Sequence, residues 1–139
     1  MRYIILRGGI AGLIAGLVLG LFLKWLEALT GIRVYTLLLN VDYLPFLRFS
    51  ELGDFLLHMI VSIPLAMILY WLAWKKHWRQ PVIGQMLLCS LVVGIFLYPL
   101  TLLSERTPAL FSLGAILLWL LGHMIYGLVL GLLYPKNCR

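Results

Sequence analysis

The sequence predicts an all-α membrane protein: a compact bundle of four transmembrane helices in a single domain, 1–139, with both termini in the cytoplasm. Composition is the first indication, because 63% of the residues are hydrophobic and only 12% are charged, whereas soluble domains are close to half apolar. The second is length, because crossing the hydrocarbon layer takes about 20 apolar residues as a helix. Four runs of that kind are present, at about 4–25, 53–74, 81–103 and 109–134.

The third observation is the charge distribution. If four helices alternate in direction, seven basic residues fall at one end, namely Arg2, Arg7, Lys75, Lys76, Arg79, Lys136 and Arg139. All five acids fall at the other end, namely Glu27, Asp42, Glu51, Asp54 and Glu105. Because Lys and Arg in short loops stay on the cytoplasmic side, this asymmetry predicts cytoplasmic termini. The net charge of +6 therefore indicates topology and attraction to anionic lipid heads, and it does not predict nucleic-acid binding.

The first run is predicted to be a retained helix. Arg2 and Arg7 precede it as in a signal peptide, but the apolar part is too long and no Ala-x-Ala-like cleavage site follows. Small residues at four-residue spacing let another helix approach closely. The first run has such a row and the fourth run has a shorter one, so the two are expected to pack together, with a homo-oligomer seam as the alternative. The glycines concerned are Gly8, Gly12, Gly16 and Gly20 in the first run and Gly127 and Gly131 in the fourth.

Lys24 and Glu27 lie at the outer end of the first run, three residues apart. They are close enough to pair with each other or to cap polar groups of the second run. The segment 31–48 that follows contains an apolar stretch too short to cross the membrane, so we expect it to lie in the outer interface or to form a re-entrant cap.

The second run carries a polar stripe. Glu51, Asp54, His58 and Ser62 follow one another at steps of three and four, which places them on one side of a helix. Ser50 is suited to cap this helix, and acids in its first turn are also favoured by the helix dipole. Ionisable side chains at membrane depth usually face another helix or water, so the stripe predicts a polar crevice open to the outer side.

The last two runs are predicted to be antiparallel neighbours, because the link between them is short. Thr107 is expected to cap the last helix, which would begin at Pro108. His123 and Tyr126 share a side of that helix, with His123 near the middle of the membrane. A water molecule or a tyrosine hydroxyl could then bridge His58 and His123.

Several fragments together resemble the YagU family of bacterial inner-membrane proteins. They are Gly12-Leu13-Ile14-Ala15-Gly16, Lys24-Trp25 with Glu27, His58-Met59-Ile60-Val61-Ser62, Tyr98-Pro99-Leu100 and Gly122-His123. The resemblance implies a multi-pass protein of the bacterial inner membrane, linked with tolerance of acid stress, whose polar positions of interest would be Lys24, Glu27, His58 and His123. The chain departs from the family in a shorter outer loop and in having Gly131 where a glutamate is expected.

Three functions remain open at this stage. The first is an assembly or partner role, or a role in stress adaptation, with another membrane protein or a second copy as partner. The second is proton or small-cation transport, in which Glu51 and Asp54 gather cations and His58, His123 and Tyr126 pass protons inward. The third is metal or haem binding by the two histidines, which lack the usual ligand spacing. No catalytic residue set is found, and we predict no enzymatic activity, cofactor or resident metal.

Overall fold

The computed structural model describes residues 1–39, 50–78 and 82–135. Five α-helices and one 3-10 helix form the described part, and four of the helical segments are long and apolar enough to cross a membrane, which confirms the predicted fold class. The elements are α1 (Arg2–Thr30), α2 (Val34–Leu38), α3 (Glu51–Lys75), α4 (Ile83–Leu97) with a 3-10 turn over Tyr98–Leu103, and α5 (Leu113–Leu133). The cytoplasmic location of the termini stays a prediction.

Two predicted helix starts can be compared with the structure, and only the first has a side-chain capping hydrogen bond. Ser50 caps α3 as predicted, because its hydroxyl oxygen accepts a hydrogen bond from the N–H of Gly53 at 3.4 Å. The last helix starts later than predicted, at Leu113 with Ser112 at its N-cap. Thr107 does not cap it, since the Thr107 hydroxyl lies 2.9 Å and 2.8 Å from backbone carbonyls of the preceding turn. The prediction of a start at Pro108 was therefore wrong.

The outer segment is helical where it is described. α1 ends in Gly31, which has a left-handed φ of 71° that glycine adopts without strain, and α2 follows after two residues. The prediction for 31–48 can be compared with the structure only up to residue 39, and its remainder, including Asp42, lies outside the described residues.

The four spanning helices lie in the spatial order α3, α1, α5, α4, each antiparallel to its neighbour in that order. α1 packs against α3 and α5, and α5 packs against α4, whereas few Cα atoms of α3 and α4 come within 8 Å of each other. The antiparallel arrangement of α4 and α5 confirms the prediction made from their short link. The bundle is thus an arc rather than a closed ring, and a cleft separates α3 from α4.

The first and last helices pack together as predicted, but the prediction that the glycine row of α1 makes this contact was wrong, because that row packs against α3. A Cβ atom on Gly12 would lie 2.7 Å from the Ala66 Cβ, and one on Gly16 would lie 2.6 Å from the Ser62 Oγ. Gly8 and Gly20 also face α3. α5 meets α1 at Gly122 instead, where Leu19 and Leu23 of α1 fill the space that a side chain would occupy. The row spacing was informative about close approach but not about which helix approaches.

The glycines of α5 serve the contact with α4. A Cβ atom on Gly127 would lie 2.7 Å from the Met86 carbonyl oxygen, and one on Gly131 would lie 2.7 Å from the Ile83 Cα. Both obstacles are backbone atoms, which cannot move aside without shifting a helix. The two predicted glycine sets therefore build two separate helix pairs, α1 with α3 and α4 with α5.

We expect Gly12→Ala to lower the free energy of unfolding by about 1–3 kcal/mol, the usual cost of overpacking. The added methyl group would meet the Ile63 Cα at 3.0 Å and the Ala66 Cβ at 2.7 Å. Gly9→Ala is the matched control on the same helix, because its nearest neighbour would be the flexible Met67 side chain at 3.7 Å. Reversible unfolding in mixed micelles measures both. Equal stability of the two variants would contradict the α1–α3 packing.

Candidate functional site

The polar stripe of α3 divides into two parts with different surroundings. Glu51 lies at the exposed outer end, where its carboxylate binds the Lys24 ammonium at 2.6 Å and accepts a hydrogen bond from the Tyr35 hydroxyl at 3.3 Å. Asp54 is half-buried one turn further in. His58 and Ser62 lie deeper, against α1. Lys24 therefore pairs with Glu51 of the polar stripe on α3, which is the second of the two predicted alternatives, and not with Glu27.

Glu27 organises the outer end of the arc. One of its carboxylate oxygens accepts the backbone N–H groups of Tyr35 and Thr36, at 2.7 Å and 2.9 Å, and the other accepts the Thr36 hydroxyl at 2.8 Å. These bonds hold the first turn of α2 over the end of α1 and satisfy donors that a helix start leaves unpaired. Partial burial raises the pKa of the neighbouring Tyr35 phenol, so it stays a proton donor to Glu51 at neutral pH.

His58 and Ser62 bind the backbone of α1. The Nε2 atom of His58 lies 3.3 Å from the Gly16 carbonyl oxygen, and the Ser62 hydroxyl lies 3.0 Å from the Gly12 carbonyl oxygen. Both acceptors belong to glycines whose missing side chains leave the carbonyls accessible. These bonds satisfy polar side chains that would otherwise be costly to bury.

Tyr126 joins α5 to the same point. Its hydroxyl donates to the Ser62 carbonyl oxygen at 2.9 Å, and its oxygen lies 3.2 Å from the Ser62 hydroxyl. Ser62 is only 3% exposed. A serine of α3 is thus the meeting point of α1, α3 and α5. The Tyr126 hydroxyl is held by Ser62 and does not bridge the two histidines.

His123 is held within its own helix and against α4. Its Nδ1 atom lies 3.0 Å from the Trp119 carbonyl oxygen, one turn earlier. The Trp119 indole N–H donates to the Gly94 carbonyl oxygen at 2.8 Å, and the His123 ring covers Gly94 so closely that a Cβ there would lie 2.7 Å from the His123 Cγ. Only 4% of His123 is exposed. Its position is therefore fixed by Gly94.

His58, Ser62, His123 and Tyr126 line one internal cavity of about 40 Å³ on the inner side of the cleft. Glu51 and Asp54 do not line it. The remaining lining residues are one serine of α4 and aliphatic side chains of α1, α2, α3 and α4: Ser90, Leu19, Leu38, Val61, Leu65, Val93 and Leu97. A cavity holds a water molecule once it offers roughly 10–15 Å³, and each water takes about 30 Å³ in the liquid, so this one has room for one or two waters or a small polar group.

Ser90 and Gly94 are the residues of this site that the sequence interpretation did not select. Ser90 is 1% exposed, its side chain lies against Gly127, and its hydroxyl oxygen has no hydrogen-bond partner in the part of the chain that the structure describes. Their spacing is a signal that could have identified them, because two small residues four apart on an apolar helix indicate a close helix contact.

The cavity does not continue through the half of the spanning helices that lies toward the N-terminus of α1. That half is filled by side chains with no exposed surface, among them Tyr70, Met86 and Leu130. The Tyr70 hydroxyl donates to the Leu130 carbonyl oxygen at 2.8 Å, which ties α3 to α5 at this level. Within residues 1–39, 50–78 and 82–135, no group of three or more His, Cys, Asp or Glu side chains could hold a metal ion.

Comparisons of the chain with protein-family models, with curated proteins and with solved structures find no match. The resemblance to the YagU family therefore stays a prediction, and the function has to be argued from the cleft itself.

We expect Ser62→Ala and Tyr126→Phe each to lower the free energy of unfolding by about 0.5–2 kcal/mol, the range of hydrogen bonds between membrane helices. The double variant should lose less than the sum, because the two hydroxyl groups are in contact. Tyr3→Phe is the control, since Tyr3 is 53% exposed. Unfolding in micelles measures all four variants, and strict additivity would show that Ser62 and Tyr126 do not interact.

Proposed function

We propose that this chain is a membrane partner protein without catalytic activity of its own, and that the cleft between α3 and α4 is its contact surface. The observation that carries the proposal is the near absence of contact between these two helices, although α1 and α5 join them on the other side. A partner helix placed in the cleft would pack against both and would close the arc into a ring.

The glycine row of α1 is not open for self-association. That row is occupied by α3 of the same chain. We therefore place the contact surface at the cleft, whose rim is apolar on both sides. Val61 of α3 lines the cavity and is 60% exposed, and Val93 of α4 lines it from the other side and is half-buried. Apolar side chains of this kind pack equally well against lipid and against a helix, so the polar groups behind them supply the preference for protein.

The hydrogen bonds of Ser62 and His58 disfavour a catalytic role for the Ser62 hydroxyl. The Ser62 hydroxyl is within hydrogen-bond distance of the Gly12 carbonyl and of Tyr126, and His58 is bound to Gly16 rather than to Ser62. A nucleophilic serine needs a base that accepts its proton. Ser62 is arranged to hold helices together.

The proposed location is the cytoplasmic membrane of a bacterium, with both termini inside. The uneven distribution of basic residues supports the orientation. The resemblance to the YagU family supports the bacterial membrane, and with it a partner whose activity matters under acid stress.

A photo-activatable residue placed at Val61 should crosslink to a specific membrane protein in intact cells, and one placed at Leu17 should not. Leu17 is the matched control, because it is also exposed to lipid, at 40%, but lies on α1. Mass spectrometry identifies the adduct. Crosslinks to lipid alone at both positions would overturn the partner role.

Proton transfer is the second candidate, and the shared cavity of His58 and His123 is the observation that favours it. The closed cytoplasmic half means that such transfer would need an opening movement. Purified protein in liposomes under a pH gradient provides the measurement. If proton transfer occurs, His58→Ala and His123→Ala should each lower the flux at least tenfold, while His77→Ala, at the exposed turn after α3, leaves it unchanged. Flux that is equal in all variants would exclude this relay.

A further inference from the structure

Each of the two histidines of the cavity has one ring nitrogen hydrogen-bonded to a backbone carbonyl and a second ring nitrogen without such a bond in the described part of the chain. The His123 Nδ1 faces the Trp119 carbonyl oxygen and the His58 Nε2 faces the Gly16 carbonyl oxygen, so each of these nitrogens carries the proton. A charged imidazolium at membrane depth is costly, so both rings are taken as neutral. The second nitrogen of each neutral ring is then a hydrogen-bond acceptor. A complementary occupant supplies donors, as water or a polar side chain does.

The size of the cavity restricts the occupant further. About 40 Å³ is too small for a cofactor or a typical small-molecule ligand, which needs several hundred Å³. It is sufficient for one short polar side chain entering from the cleft. The Ser90 hydroxyl, which lacks a partner in the described part of the chain, lies beside the same space.

Neither a lipid tail nor a second copy meets this requirement. Hydrocarbon tails carry no donors. The exposed residues in the middle of the four described spans are apolar, so a second copy would present no donor from its lipid-facing side. They include Leu13, Leu17, Ile60, Ile95, Leu117 and Leu121.

On the basis of the proposed partner role, we infer that the cleft receives a transmembrane helix of a different membrane protein, which inserts a side chain with N–H or O–H donors beside His58 and His123. Asparagine, glutamine, serine and threonine have this chemistry. The backbone of the inserted helix would lie between the rims of α3 and α4, with Val61 and Val93 on either side.

The test uses the full chain in phosphatidylcholine vesicles, with a donor fluorophore at its N-terminus. Three acceptor-labelled Leu/Ala peptides of about 20 residues span the bilayer. They differ only at the central position, which is asparagine, Nδ,Nδ-dimethylasparagine or leucine. The dimethyl residue keeps the amide carbonyl and lacks both N–H donors. We expect the asparagine peptide to bind about tenfold more tightly than either of the others, since one interhelical hydrogen bond contributes about 1–2 kcal/mol.

Val61→Trp should abolish binding of the asparagine peptide by filling the cleft, whereas Leu17→Trp on α1 should leave it unchanged. Both positions are exposed, at 60% and 40%, so neither substitution disturbs the core. If all three peptides bind equally and Val61→Trp blocks them, the partner role stands and the donor requirement is wrong. If no binding responds to Val61→Trp, the cleft is not the contact surface and both proposals fail. Energy transfer between copies of the chain that asparagine peptide cannot displace would identify a second copy as the occupant and overturn the inference.

Discussion

The hydrogen bonds from α3 to the glycine carbonyls of α1 are the interaction on which the arrangement depends. Hydrocarbon offers no hydrogen-bond partner to His58 or Ser62, and each has one in the backbone of α1. Glycine at positions 12 and 16 lets α3 come close enough for side chains to reach backbone oxygens that already serve the α-helix. The same two glycines therefore allow the helices to pack closely and expose the carbonyl oxygens that hydrogen-bond His58 and Ser62.

The same device recurs on the other side of the bundle. Gly94 of α4 accepts the Trp119 indole N–H through its carbonyl and accommodates the His123 ring on its open face. Each pair of helices, α1 with α3 and α4 with α5, thus has its own glycine contact. The two pairs are joined through α1 and α5, with Tyr126 and Ser62 at the joint. This connection leaves α3 and α4 apart and exposes the cleft.

The outer end behaves differently from the interior. Glu51 and Lys24 pair at a surface where both side chains stay more than half exposed, so their contact contributes orientation more than stability. Glu27 holds α2 in place, because its carboxylate accepts three hydrogen bonds from that helix. Glu27 and Glu51 therefore position helices, and inside the bundle the two histidines and Ser90 keep hydrogen-bonding capacity that the described residues do not use.

The sequence by itself determined the number of spanning helices, their approximate limits, the cap at Ser50 and the residues that could be polar at membrane depth, because length, hydropathy and helical spacing are local properties. It determined the pairing of α4 with α5 through their short link, but not the partner of each glycine row. Glycines at four-residue spacing have the same pattern whichever helix they meet, so the packing of the α1 glycine row on α3 rather than α5 was decided by tertiary structure. The cavity shared by His58 and His123, the selection of Gly94 and Ser90, and the cleft between α3 and α4 follow from that pairing, since each depends on atoms of helices far apart in the chain.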